Sequence, residues 1–424
     1  MTNFLIGAST SAHQIEGNNI HSDYWAMEHM KYTSFTEPSG QAVDSYNRYE
    51  EDIALLKQAG LNAYRFSIEW ARIEPEQGKF DMNEIEHYRK VLLCLKENGI
   101  TPVVTMFHFT SPLWLIQMGG WENERVVDLF ANYCKFVVEQ LGDYFDYVCT
   151  INEANMRLQF AAIAERIRRQ MMANAANMKS MEGTVQVGAN LNGMMERMKM
   201  AAAENMQIFH SPNPAIFISA CTPNGDLLVM KAHQAAKAVM KQVKPSLKIG
   251  LTLSLHDIQF VEGGEEVAKK EWNDEFLHYL PYIQDDDFFG LQNYTRSVMN
   301  ADGIMPVPEG KKKTQMDYEN YPEALGHVIR KVHESLPIPI MVTENGITTS
   351  DDTERVEFIQ KALSGVQACI ADGIPVIGYM HWSLLDNFEW QKGFAMTFGL
   401  IAVDRTTMKR TPKQSLFVLG SYAK

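Results

Sequence analysis

Short apolar runs alternate with longer amphipathic stretches along almost the whole chain. Eight of the runs read as strands: Phe4 to Thr10, Leu61 to Ile68, Thr101 to His108, Tyr147 to Asn152, Lys248 to Leu255, Asp287 to Tyr294, Ile338 to Glu344 and Pro375 to Trp382. Between them, apolar residues recur three and four positions apart, the spacing that lines one face of a helix. Ile85, Tyr88, Leu92 and Leu95 form one such stripe, ending at Gly99, and Val356, Ile359, Leu363, Val366 and Ile370 form another, ending at Gly373. Glycine at that point supplies the left-handed residue that commonly stops a helix. Strand–helix alternation without long polar linkers predicts a parallel sheet. Eight such units predict an α/β fold closed into a single (β/α)8 TIM barrel spanning residues 1–424.

One segment departs from the pattern. Between about 156 and 206 the chain carries ten of its 25 methionines, together with Arg166-Ile167-Arg168-Arg169 and several small residues. One reading is a pair of helices that use methionine as core filler. The other is an adaptable apolar wall over a binding site, because unbranched, polarizable side chains accept varied ligands.

Composition narrows the class without naming a substrate. An apolar content of 46% with 21% charged residues describes a globular protein able to bury a large core. The net charge is −13 and no long lysine- or arginine-rich run occurs, which argues against nucleic acid or an anionic membrane as partner. No stretch approaches 18 apolar residues, and the N-terminus lacks a basic leader followed by an apolar run, so the expectation is a cytoplasmic protein. The five cysteines, at 94, 134, 149, 221 and 369, lie in apolar or helical contexts without metal-like spacing, so buried free thiols are expected. Nothing in the chain sets its oligomeric state, and a homo-oligomer is compatible with it.

Candidate chemistry collects at the strand ends. Tyr147-Val148-Cys149-Thr150-Ile151-Asn152-Glu153 and Ile340-Met341-Val342-Thr343-Glu344-Asn345 each finish on a glutamate beside an asparagine. A carboxylate at the end of a buried strand is costly to desolvate and needs a partner or a role. In one parallel sheet both emerge at the C-terminal edge, where α/β folds place their chemistry, and two carboxylates facing one cavity can split a glycosidic bond. Arg65, inside an apolar strand, requires a carboxylate partner of its own. Gln14, His108, Asn152, Tyr294, Trp382 and Glu389 fall at the same rim. The run from Trp382 to Trp390 sets indoles beside Glu389, which suits stacking on a sugar ring with paired hydroxyl hydrogen bonds.

The ordered motifs resemble glycoside hydrolase family 1. Gly7-Ala8-Ser9-Thr10-Ser11-Ala12-His13-Gln14-Ile15-Glu16-Gly17, Arg65-Phe66-Ser67-Ile68-Glu69-Trp70-Ala71-Arg72-Ile73, Gly119-Gly120-Trp121, Thr343-Glu344-Asn345-Gly346 and Trp382-Ser383-Leu384-Leu385-Asp386-Asn387-Phe388-Glu389-Trp390 are similar to its signatures, in order. The resemblance implies that Glu344 is the nucleophile and Glu153 the general acid/base of a retaining β-glycosidase, most simply a β-glucosidase. It implies that Gln14, His108, Asn152, Glu389 and Trp390 hold the sugar, with Asn152 at the 2-hydroxyl. Trp382 would lie beneath the ring, with Tyr294 and Arg65 supporting Glu344. Retention calls for carboxyl groups about 5–5.5 Å apart, and neither metal nor cofactor enters the chemistry. Related readings are a β-galactosidase or β-fucosidase with the same machinery and, in another class, a non-catalytic glycoside-binding barrel. Three departures from the family pattern stand out: Ala154 where proline is usual, Phe109 where tryptophan follows the histidine, and the methionine-rich segment. The presence of Glu389-Trp390, rather than the serine of relatives acting on 6-phosphosugars, implies an unphosphorylated glycoside. The methionines suggest an apolar aglycone.

Overall fold

The structure, a computed structural model, describes residues 4–165 and 191–423. The barrel strands are β1 (Leu5–Ser9), β2 (Ala63–Ser67), β3 (Thr101–Phe107), β4 (Tyr147–Ile151), β5 (Lys248–Gly250 and Thr252–Ser254), β6 (Phe289–Gln292), β7 (Ile340–Asn345) and β8 (Val376–Trp382). All neighbouring pairs are parallel, and β8 returns to pair with β1. The fifth strand is interrupted at Leu251: its first piece pairs with β4 and its second with β6, which completes the circle. The predicted (β/α)8 barrel is therefore present, and each strand lies within the run read from the sequence except β7, which extends one residue further, to Asn345.

Two-residue alternation divides each strand between two cores. Leu5, Ala63, Val103, Cys149, Met341 and Met380, with Phe288, pack together inside the barrel. Their neighbours Ile6, Tyr64, Val104, Val148, Val342 and Tyr379 face the surrounding helices instead. Those helices bring Leu56, Leu92, Phe130, Val229, Ile329 and Phe358 to the same layer. Glycine is required where β1 and β2 approach, because a Cβ on Gly7 would lie 2.2 Å from the Ala63 carbonyl oxygen.

The helical stripes are close to expectation, with one correction. In Met82–Glu97 the buried face is Ile85, Tyr88, Val91, Leu92 and Leu95, and Gly99 follows at φ +68°. In Asp352–Ala371 the buried face runs through Phe358, Ile359, Ala362, Leu363, Val366 and Cys369, whereas Ile370 is exposed and Val356 only half-buried. A 3.6-residue repeat lets Cys369 take the core position that an apolar count assigns to Ile370. All five cysteines are free; Cys134, Cys149 and Cys369 are buried, but Cys94 and Cys221 are half-buried, contrary to the expectation for all five. Among the described residues no helix is long and apolar enough to cross a membrane.

Of the methionine-rich segment, residues 166–190 lie outside the described residues. The part after them is helical, Leu191–Phe209, and exposes Met198, Met200 and Met206. Methionine as core filler therefore fails for these three.

Candidate active site

The C-terminal ends of the strands surround a cavity of about 230 Å³. His108, Asn152, Glu153, Tyr294, Glu344, Trp382, Glu389 and Trp390 all line it. Gln14 and Arg65, both fully buried, stand one layer behind that wall. Phe109, noted in the sequence as a departure from the family pattern, lines it as well, together with His256, Thr295, Met316, Tyr318 and Phe398, which went unread. Met316 and Tyr318 come from an irregular stretch after β6, where no periodicity marks a position.

Glu344 is the better-tethered carboxylate. Arg65 Nη1 donates to its Oε1 at 2.6 Å, and the Tyr294 hydroxyl donates to its Oε2 at 2.6 Å. Register explains the first contact, since Arg65 and Ser9 are level across β1 and β2 and the guanidinium crosses the barrel interior from there. The buried arginine has the carboxylate that its desolvation demands. Its second arm, Nη2, donates to Asn152 Oδ1 at 2.6 Å, and Gln292 Nε2 donates to the same oxygen at 2.7 Å. Two donors on Oδ1 fix the amide's orientation and leave Asn152 Nδ2 buried without a partner, ready for an acceptor in the cavity. Gln292 thus belongs to the site; its place at the end of β6 was the signal that could have found it.

Glu153 is held through its backbone. It follows β4 at φ +43°, in the left-handed region that residues with a Cβ seldom occupy. Its N–H donates to Thr252 Oγ1 at 3.0 Å, and the next N–H, that of Ala154, donates to the Thr252 carbonyl at 3.0 Å. Proline has no N–H and could not make that second bond, so Ala154 is matched to a loop tied to β5. Asn155 extends the tie, donating to the carbonyls of Ser254 (2.7 Å) and Glu275 (2.9 Å). Buried Arg157 then reaches Glu122 at 2.7 Å and anchors the segment to the loop after β3.

The remaining wall is aromatic and polar. The His108 ring is stacked near Trp382, with centroids 5.5 Å apart and planes 19° apart. Burial, reinforced by Arg65, pushes His108 well below the usual imidazole range, so it is neutral at physiological pH. Trp390 stacks on His13 at 5.9 Å, and His13 in turn meets Glu28 at 2.8 Å. Gln14 Nε2 donates to the Phe388 carbonyl at 2.8 Å and lies 3.4 Å from Glu389 Oε2, which positions that carboxyl.

Three carboxyls share this space, and their environments differ. Burial raises Glu153 and the charge of Glu344 raises it further, outweighing Ser254 and the more distant Arg65; among the described residues its carboxyl makes no ion pair. Burial also raises Glu344, but Arg65 and the Tyr294 hydroxyl oppose the rise. The proton shared by this pair therefore resides on Glu153 and the negative charge on Glu344. Glu389 is pushed up to about 8 by burial and then by Glu344. Among the described residues no group of three or more His, Cys, Asp or Glu side chains is placed to hold a metal.

The chain is similar to known proteins over most of its length. The model of glycosyl hydrolase family 1 matches residues 1–177 and 262–423. β-Glucosidase A of Thermotoga maritima is 29% identical, the alignment covering 97% of this chain and 95% of that protein. The 6-phospho-β-galactosidase of Lacticaseibacillus casei is 26% identical over 97% of this chain and 95% of its own. Among solved structures, that of β-glycosidase BGL167 superposes with a TM-score of 0.88 at 44% identity, covering 100% of this chain and 96% of the other. With the family's barrel and a matching sequence over most of its length, the chain belongs to glycosyl hydrolase family 1 and is a β-glycosidase.

Proposed function

We propose that this protein is a β-glucosidase that hydrolyses unphosphorylated β-D-glucosides with retention, using Glu344 as nucleophile and Glu153 as acid/base. The observation that carries the reading is the unequal setting of two carboxyls on one cavity. Glu344 is ion-paired with Arg65 and hydrogen-bonded by Tyr294, whereas Glu153 makes no ion pair among the described residues and is raised by burial and by Glu344. In the first step Glu344 attacks the anomeric carbon while Glu153 donates its proton to the departing oxygen. In the second step Glu153, now ionised, takes a proton from water, which releases the sugar from Glu344. Asn152 Nδ2 supplies a donor where the sugar's 2-hydroxyl acquires its strongest interaction. Trp382 forms the platform of the ring, and His108, Glu389 and Trp390 take its remaining hydroxyls.

A phosphate dianion would meet the charge of Glu344 in a cavity whose described lining offers it no lysine or arginine, which supports the unphosphorylated sugar over the substrate named by the 6-phospho-β-galactosidase relative. Rates on nitrophenyl β-D-glucoside, galactoside, fucoside and 6-phosphoglucoside test this choice. The glucoside is expected to be fastest; turnover of only the phosphorylated compound would overturn the reading.

The pH profile has a definite sign. Glu153 must be protonated in the first step, so kcat/KM is held below its raised pKa and lost as pH rises through it. The alkaline limb is expected well above 4.5, the ordinary value for a glutamate. Glu344 must be ionised, which sets an acid limb where activity falls as pH drops. An alkaline limb that persists in Glu153→Gln would show that another group donates the proton.

A further inference from the structure

The loop carrying Glu389 and Trp390 is held from behind by the segment that follows β1. One helical turn there, Ala12–Ile15, supplies two consecutive buried side chains to the loop. Gln14 reaches the Phe388 carbonyl and Glu389. His13, about 100° away around the turn, lies against Trp390 instead, with the two ring planes only 7° apart. Tyr24 meets the same indole edge-on, with centroids 5.0 Å apart and planes at 67°. Trp390 needs this support. Its backbone stands at φ +47°, a left-handed conformation that a residue with a Cβ keeps only when its surroundings impose it.

His13 is itself tethered at both ring nitrogens. Nε2 donates to Glu28 Oε1 at 2.8 Å, and the Asn19 amide lies 3.1 Å from Nδ1. The other Glu28 oxygen accepts from the backbone N–H and the hydroxyl of Ser39, at 2.9 and 2.6 Å. Burial opposes the charge on Glu28, but His13 and Ser39 outweigh it and hold the carboxyl below its usual range. The same segment grips the loop just beyond the indole. The Thr36 N–H donates to the Gln391 carbonyl at 3.2 Å, and the Phe394 N–H donates to Glu37 Oε1 at 3.0 Å. We propose that His13 is a positioning residue for the sugar: tethered by Glu28, its ring fixes the angle at which the indole of Trp390 meets the substrate. The inference rests on the reading of Trp390 as a sugar contact. One turn of helix then sets both side chains of the loop, Gln14 the carboxyl and His13 the indole.

A double-mutant cycle separates positioning from a general loosening, because effects that act through one side chain fail to add once that side chain is gone. The substrate is whichever of the four nitrophenyl glycosides above the wild type turns over fastest, so the identity of the sugar does not enter. Trp390→Ala is expected to lower kcat/KM by about tenfold or more. His13→Ala is expected to lower it about tenfold in the wild type, but less than about threefold in the Trp390→Ala background. No loss in the wild type, or an equal loss in both backgrounds, overturns the proposal. Because His13→Ala strands the buried Glu28 carboxylate, His13→Leu combined with Glu28→Gln, which leaves no charge behind, is taken through the same cycle with the same expectation. An unchanged kcat/KM in Trp390→Ala alone overturns the sugar contact and the proposal built on it. A wild type that hydrolyses none of the four overturns the β-glucosidase reading together with the inference.

Discussion

Glu344→Gln is expected to lower kcat by at least about 10⁴-fold while leaving the fold intact, because it replaces a nucleophilic oxygen with an amide of the same shape. The amide oxygen can still accept from Arg65 or Tyr294, so the geometry behind the site is largely preserved. The charge is not. Arg65 is left in the barrel interior without its counter-ion, and breaking a buried pair in this way costs stability, up to about 3–5 kcal/mol. Single-turnover kinetics at saturating substrate, with circular dichroism to confirm folding, separates the chemical loss from a structural one. A folded variant that retains more than a tenth of the wild-type kcat would remove Glu344 from the nucleophile's role.

Glu153→Gln is expected to act in proportion to the leaving group's need for a proton. For a methyl or sugar leaving group, loss of the acid should slow the first step by about 10²–10⁴-fold. For a dinitrophenyl group, which departs as a stable anion, the same step should slow by less than about tenfold. The second step then becomes limiting, because the base that activates water is also gone. A burst of dinitrophenolate followed by slow turnover is the expected signature in stopped-flow absorbance. Equal losses for both leaving groups would mean that Glu153 holds the site together and does not transfer the proton. The loop supports the chemical role, since its backbone bonds to Thr252 do not use the Glu153 carboxyl.

The barrel was legible because its signal repeats. The apolar runs recur eight times between helical stripes, and the strands fall inside them save for Asn345 at the end of β7. The polar wall was legible for a related reason, since Arg65, Glu344 and Asn152 are conspicuous in apolar surroundings, and buried charge demands an explanation. Gln292 was missed because an amide at a strand end is unremarkable until two donors are seen to converge on Asn152. His256 and Tyr318 were missed because their positions depend on how irregular segments fold back over the rim, which no local pattern encodes. Ala154 shows the reverse limit. It read as a departure from a motif, and only the backbone bond to Thr252 shows what an N–H at that position does. Ile370 was misassigned because a stripe of apolar residues drifts across a long helix, and a smaller residue, Cys369, can occupy the buried position.

The division of roles between Glu344 and Glu153 is tested most directly by trapping. A 2-deoxy-2-fluoro-β-D-glucoside with a dinitrophenyl leaving group slows both steps, since fluorine disfavours the oxocarbenium-like transition states, but its good leaving group restores the first. The protein is expected to gain the mass of one fluoroglucosyl group per chain, and digestion should place it on the peptide containing Glu344. A label on Glu153, or turnover of ordinary substrate with inversion at the anomeric carbon and no adduct, would contradict the assignment.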